Sequence, residues 1–187
     1  MKITPVDQPL EIDAAAPAVR SAGLHVSEIY GSLFEALEPD RFTGGEPHQI
    51  LVAIGLAWEQ WLERTLIAMG ECVARPGELV SPEGIIYSPD LHVLNGQERL
   101  GEIKSTCLSS REGITGPKFD KYHCQAKIYC HWTEIPRMRF YVLFLRADYR
   151  KGDGFPEFHV YDVEYTAFEL QENYDMLMNH ARQKGLL

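Results

Sequence analysis

The chain has 187 residues, 45% hydrophobic and 24% charged, enough for one globular domain with a substantial core. No run of about 18 apolar residues occurs, so no membrane-spanning helix is expected, and "MKITPVDQPLEIDAAAPAVR" has no apolar block after Lys2, so no secretory signal is expected and the expected compartment is the cytoplasm. The net charge of −9 argues against a broad basic surface for non-specific nucleic-acid binding, but not against a nucleic-acid enzyme, because acidic residues hold the divalent metals that neutralise phosphate locally.

Residues 1–22 are rich in Pro, Ala and Asp and read as a lead-in or arm, followed by a single domain over 23–187. Apolar residues at helical spacing between Gly23 and Pro39 predict a helix capped by Ser27. The loop "DRFTGGEP" leads to "HQILVAIGLAWEQWLERTLIAMG", a long apolar helix ending at Gly70. Strand-like stretches follow at "GIIYS", "DLHVL" and "RLGEIKST", then a second long helix in "FDKYHCQAKIYCHWTEI". "RMRFYVLFLRADY" and "FPEFHVYDVEYT" read as strands joined across "RKGDGFP", and "AFELQENYDMLMNHARQK" closes the chain as a helix. That order predicts an α/β or α+β core, a central mixed β-sheet flanked by helices. The four cysteines (Cys72, Cys107, Cys124, Cys130) form no CxxC pair; buried reduced thiols are expected rather than a zinc or iron–sulfur site.

"SPDLHVLNGQERLGEIKST", residues 88–106, places Asp90, Glu102 and Lys104 where buried strands should form. Residues two apart in a strand share a face, so Glu102 and Lys104 point one way and Ile103 the other. A two-residue Asn95-Gly96 turn would set Asp90 opposite Gly101, facing away from Glu102. A three-residue loop, Leu94-Asn95-Gly96, sets Asp90 opposite Leu100 and on the face of Glu102 and Lys104. Convergence of the three charges therefore needs one extra residue in the hairpin, there or at a bulge. Two carboxylates and an ammonium on one face suit Mg²⁺ or Mn²⁺, with the Ile103 carbonyl as a further oxygen ligand and Lys104 orienting water or stabilising charge on phosphorus. Taken alone, Glu-x-Lys on an edge strand reads first as an ordinary solvated face, and only its flanking motifs turn it towards a site.

The helix before the hairpin sets Gly55 and Glu59 four apart on one face, the glycine permitting close approach and Glu59 standing acidic among apolar neighbours. Glu63, one turn on, reads as solvent-facing, and His48 near the helix start as a surface or capping residue. The helix after the hairpin pairs Gln125 with Tyr129 at the same spacing, an amide and a phenol able to orient a lysine, a water or a phosphate. Lys118, Lys121 and Lys127, with Arg111 before them, supply local positive charge.

Gly55-x-x-x-Glu59, Asp90, Glu102-Ile103-Lys104 and Gln125-x-x-x-Tyr129, in this order, resemble the PD-(D/E)XK nuclease superfamily. Within it they resemble the branch of RecB-type nuclease domains and the lambda exonuclease, or YqaJ-like viral recombinases, of phage-encoded type. The resemblance covers residues from about 50 to 130, with "RMRFYVLFLRADY" similar to the family's next core strand. It implies a restriction-endonuclease-like core and Mg²⁺- or Mn²⁺-dependent hydrolysis of DNA phosphodiesters with little sequence specificity, in recombination or repair. Asp90, Glu102, the Ile103 carbonyl and Glu59 would ligate metal, Lys104 would position or help deprotonate water, and Gln125 and Tyr129 would fix Lys104 and contact the DNA backbone. Arg20 and Ser27 resemble the pair with which lambda-type exonucleases hold a 5′-phosphate, and Lys118, Lys121 and Lys127 would assist substrate binding. The same resemblance implies DNA and a single-strand annealing protein as partners, leaves a homo-oligomer open, and places a phage-encoded member in the bacterial host cytoplasm. Besides the favoured exonuclease or end-processing enzyme, two alternatives stand. One is a structure-selective or single-strand endonuclease; the other is a non-catalytic acidic binding or regulatory protein on the same fold.

Overall fold

A computed structural model describes residues 20–39, 49–71, 73–94, 96–148 and 155–187. The lead-in through residue 19, the loop containing His48, Cys72, Asn95 and residues 149–154 lie outside the described residues. The described residues form the helices α1 (Val26–Leu37), α2 (Gln49–Ala68), α3 (Asp120–Thr133) and α4 (Ala167–Gln183) and two sheets. The main sheet has the order β1 (Val73–Ala74), β4 (Leu91–Val93), β5 (Arg99–Thr106), β6 (Arg137–Phe144), β7 (Glu157–Glu164). Its β5–β6 pair is parallel and its other pairs are antiparallel, the mixed sheet that the residue pattern predicts. The parallel pair requires a crossover, which α3 supplies.

Three local features differ from expectation. "GIIYS" does not join the main sheet: β3 (Ile86–Tyr87) pairs with β2 (Leu79–Val80) in a separate ribbon, tied to the chain before α1 by the Ile86 N–H donating to the Leu24 carbonyl at 2.8 Å. Strands β1 and β2 have two residues each, too short to leave an alternating pattern. Helix α1 starts after His25 rather than Ser27, because Glu28 closes the first turn: its carboxylate accepts from the His25 N–H at 3.2 Å, and its own N–H donates to the His25 carbonyl at 2.9 Å. By contrast, α4 begins at a hydroxyl cap, with Thr166 Oγ1 accepting from the Glu169 N–H at 3.2 Å, worth about 1 kcal/mol.

The sheet has a core on each face. Leu100 of β5 and Met138, Phe140, Val142 and Phe144 of β6 pack with α1, α3 and α4 through residues such as Ile29, Ile128 and Leu177. On the opposite face Leu91, Ile103 and Tyr141 meet Leu62 and Leu66 of α2. Each fully buried phenylalanine or leucine of these layers contributes about 1.5–3 kcal/mol. Helix α2 is apolar on more than its core stripe: Trp61 stays 55% exposed, stacked on Trp58 at 5.0 Å, while Trp58 meets Phe158 of β7 edge-on at 5.1 Å. Among the described residues no helix is long and apolar enough to cross a membrane.

Candidate active site

Strand β5 carries Glu102 and Lys104 of the candidate site; it is central in the sheet and its two faces differ. Ile103 fills the α2-side core, so Glu102 and Lys104 face the α1–α3 side. Leu91 pairs with Gly101, and one step further Asp90, just before β4, stands opposite Glu102. This register is shifted by two residues from the one expected with a three-residue loop, because the outermost pair is Val93–Arg99 and the connection is longer. A shift of two preserves the faces, so Asp90, Glu102 and Lys104 do converge. Where β4 ends, the Asp90 side chain takes over its ladder: Oδ2 accepts from the Ile103 N–H at 2.7 Å. The N–H and C=O of one strand residue point to the same neighbour, so the Ile103 carbonyl lies along this same edge.

Glu102 has no exposed surface. Its Oε1 accepts from Lys104 Nζ and, at 2.7 Å, from Gln125 Nε2, while Gln125 Nε2 also donates to the Tyr129 hydroxyl at 3.0 Å. Gln125 thus braces Glu102 rather than Lys104, correcting the role assigned to it from the resemblance. The Lys104 ammonium instead lies 5.2 Å from the centre of the Tyr122 ring. Burial pushes the Asp90 and Glu102 carboxyls up, and for Glu102 the Asp90 charge adds to it. Burial, then Asp90, pushes Glu59 up to about 7. Burial opposes the charge of Lys104, yet the Glu102 and Asp90 carboxylates hold its ammonium well above the ordinary lysine range. Burial, then Glu102, keeps the Tyr129 phenol neutral.

Asp90, Glu102, Lys104, Glu59, Gln125 and Tyr129 line one cleft of about 680 Å³, together with residues of α1 and of the segment after β1. Gly55 lets α2 approach β5: a Cβ there would lie 3.3 Å from Ser105 Oγ, and Glu59, one turn on, reaches the lining. Glu63 accepts from Arg75 Nε at 2.7 Å, so it is an ion-pair partner rather than a free solvent-facing residue. From α1, Ser27 Oγ accepts from Arg20 Nη1 at 3.2 Å, and both residues line the cleft. Lys121 lies 5.7 Å from the ring of Tyr30, itself a lining residue, and shares the helix face of Gln125 and Tyr129. Lys127 is turned away by its two-residue offset from Gln125 and sits 5.6 Å from the Tyr165 ring. Lys118 and Arg111 line a separate cavity beside α3. Neither Lys118 nor Lys127 belongs to the cleft lining.

Sequence reasoning missed Tyr30, His25 and Arg75, all lining residues. The i, i+3 relation of Ser27 to Tyr30 could have found Tyr30; Arg75 follows a strand too short to recognise. Cys124 and Cys130 are buried free thiols on α3, as expected, whereas Cys107 is free but exposed, and Cys72 lies outside the described residues.

Among the described residues, no three His, Cys, Asp or Glu side chains gather into a ready-made metal site. Two carboxylates are nevertheless the usual protein share for Mg²⁺, which keeps several waters and takes substrate oxygens. Glu102 Oε2 fits that share: it is buried and has no hydrogen-bond partner among the described residues, an arrangement that is costly unless a cation compensates it.

No family model matches the sequence, and no curated protein matches it. Among solved structures, the alkaline exonuclease LHK-Exo from Laribacter hongkongensis superposes with a TM-score of 0.55 at 20% identity, over 86% of this chain and 87% of that one. The same enzyme in complex with dAMP gives a TM-score of 0.55 at 19% identity, over 86% and 87% of the two chains. At this identity the likeness is one of fold, and over most of its length the chain is folded like an alkaline exonuclease.

Proposed function

We propose that the chain is a metal-dependent deoxyribonuclease of the PD-(D/E)XK type, an exonuclease or DNA-end processing enzyme that acts on phosphodiester bonds in this cleft. The observation that carries this reading is the unpartnered, fully buried Glu102 oxygen opposite Asp90. Asp90, Glu102 and the Ile103 carbonyl would hold Mg²⁺ or Mn²⁺, with Glu59 the next carboxylate. When bound, such a cation polarises the scissile phosphate and lowers the pKa of water. Lys104, held by Glu102, would donate hydrogen bonds to the attacking water or a phosphate oxygen and so position the nucleophile. Gln125 fixes the Glu102 carboxylate, and Tyr129 buttresses Gln125. The Arg20–Ser27 pair on the cleft wall favours action at an end, since a guanidinium beside a hydroxyl suits a terminal phosphate. DNA is the partner this reading requires; a single-strand annealing protein and assembly into a homo-oligomer are extensions of the resemblance.

The test compares end-labelled linear duplex with covalently closed circular duplex, each with Mg²⁺, Mn²⁺ or EDTA. Loss of linear DNA with either metal, an intact circle and no reaction in EDTA are expected. Linear DNA left whole with both metals would remove the reading, and a cut circle would turn it to an endonuclease.

A further inference from the structure

Among the described residues, the basic side chains that line the cleft of this acidic chain include Arg20, Lys104 and Arg75. Lys104 is engaged by Glu102, and Arg20 stands on the α1 wall against Ser27. Arg75 lines the same cleft, its charge close enough to Glu59 and Asp90 to act on both carboxyls. Its Nε is committed to Glu63 Oε2 at 2.7 Å, and among the described residues this is its hydrogen bond; the side chain remains 41% exposed. A guanidinium has five donors in a rigid fork. Fixing it through Nε alone leaves its terminal nitrogens to bind a planar or tetrahedral oxyanion in two places at once. A polyanion strand passing this part of the cleft would otherwise meet the carboxylates Glu59, Glu78 and Asp90, which repel it.

We propose that Arg75, braced by Glu63, is a substrate-binding residue that takes a backbone phosphate of the DNA strand next to the reacting phosphodiester. The inference rests on the nuclease reading and extends it to a second cation of the cleft besides the Arg20–Ser27 pair. An ordinary surface ion pair would show the same bond to Glu63, so the test must read phosphate contact rather than stability.

Binding of a short fluorescein-labelled duplex is measured by anisotropy across a salt series, with Ca²⁺ replacing Mg²⁺, for wild type, Arg75→Ala, Arg75→Lys and Arg64→Ala. Arg64 is exposed on α2 and lies outside the cleft lining, so its variant makes the same change in net charge elsewhere. Arg75→Ala should bind about tenfold more weakly, with the slope of log affinity against log salt reduced by about one. Arg75→Lys should recover part of the affinity, and Arg64→Ala should stay within about twofold of wild type. In the Mg²⁺ reaction Arg75→Ala should raise KM in step with the binding loss and leave kcat within about twofold. If Arg75→Ala binds like wild type, or no worse than Arg64→Ala, the inference falls while the nuclease reading stands. If wild type itself neither binds nor cuts duplex, the nuclease reading falls and takes Arg75 with it.

Discussion

A carboxylate with no exposed surface and one unpartnered oxygen is a poor structural choice, since an apolar residue of similar size would fill the same place without the desolvation cost. Glu102 is tolerated because Lys104 and Gln125 satisfy its other oxygen and orient it. Gln125→Ala should therefore lower cleavage about 10–100-fold, as loss of a group behind a metal ligand does, with partial recovery at higher Mn²⁺. Cleavage rates at saturating DNA across a Mn²⁺ series measure both effects. An Mn²⁺-independent loss would place Gln125 on the DNA instead. The residue types and their order were readable from the sequence: Glu59, Asp90, Glu102, Lys104, Gln125 and Tyr129 line one cleft, and Gly55 lets α2 approach β5 at Ser105. Which oxygen Gln125 would meet was not readable, because helix spacing fixes a face but not the reach of a side chain.

At the level of elements, the site depends on how closely β4 lies against β5. Gly101 makes this possible: a Cβ there would stand 2.9 Å from the Leu91 Cβ, one residue from the Asp90–Glu102 pair. Gly101→Ala should destabilise the fold by about 1–3 kcal/mol, measurable by denaturant unfolding, and should reduce cleavage even in the fraction that remains folded. A second junction joins α3 to the segment before it and to the residue after β7. His123 Nε2 meets the Ile114 carbonyl at 2.8 Å and Nδ1 meets the Tyr165 hydroxyl at 2.7 Å. The neutral tautomer with the proton on Nε2 satisfies both, donating to the carbonyl and accepting from the phenol. Burial, the largest influence, lowers the His123 pKa in the folded chain. The unfolded chain then binds the proton more readily. His123 should therefore contribute full stability above the ordinary histidine pKa of about 6.5, and lose it as pH falls through the window from there to the depressed folded value. Urea unfolding between neutral and mildly acidic pH should show this slope, and His123→Asn should flatten it. The long helices and β5 to β7 were legible because their periods repeat over several turns or alternations. The two-residue β1 and β2 and the start of α1 were not, since each is set by tertiary pairing or a single reciprocal capping interaction.

Across the whole molecule, a net charge of −9 and a DNA substrate are compatible only if positive charge is local and a metal supplies the rest. The fold meets that condition by bringing Arg20, Arg75 and Lys104 into the cleft that holds the carboxylates. DNA binding should accordingly be much weaker in EDTA than with Ca²⁺, a contrast that anisotropy on labelled duplex reads directly; equal binding would mean that the cations alone suffice. The convergence of Asp90 with Glu102 depended on the parity of the hairpin register rather than on its loop length, which is why a register two residues from the expected one still assembles the cleft. Most direct is a titration of the folded protein with Mn²⁺, followed by the electron paramagnetic resonance of the free ion, for wild type and Glu102→Gln. Wild type should bind Mn²⁺ and Glu102→Gln should lose most of that binding while keeping the circular dichroism of wild type. Equal Mn²⁺ binding by the two folded proteins would contradict a metal centre built on Glu102.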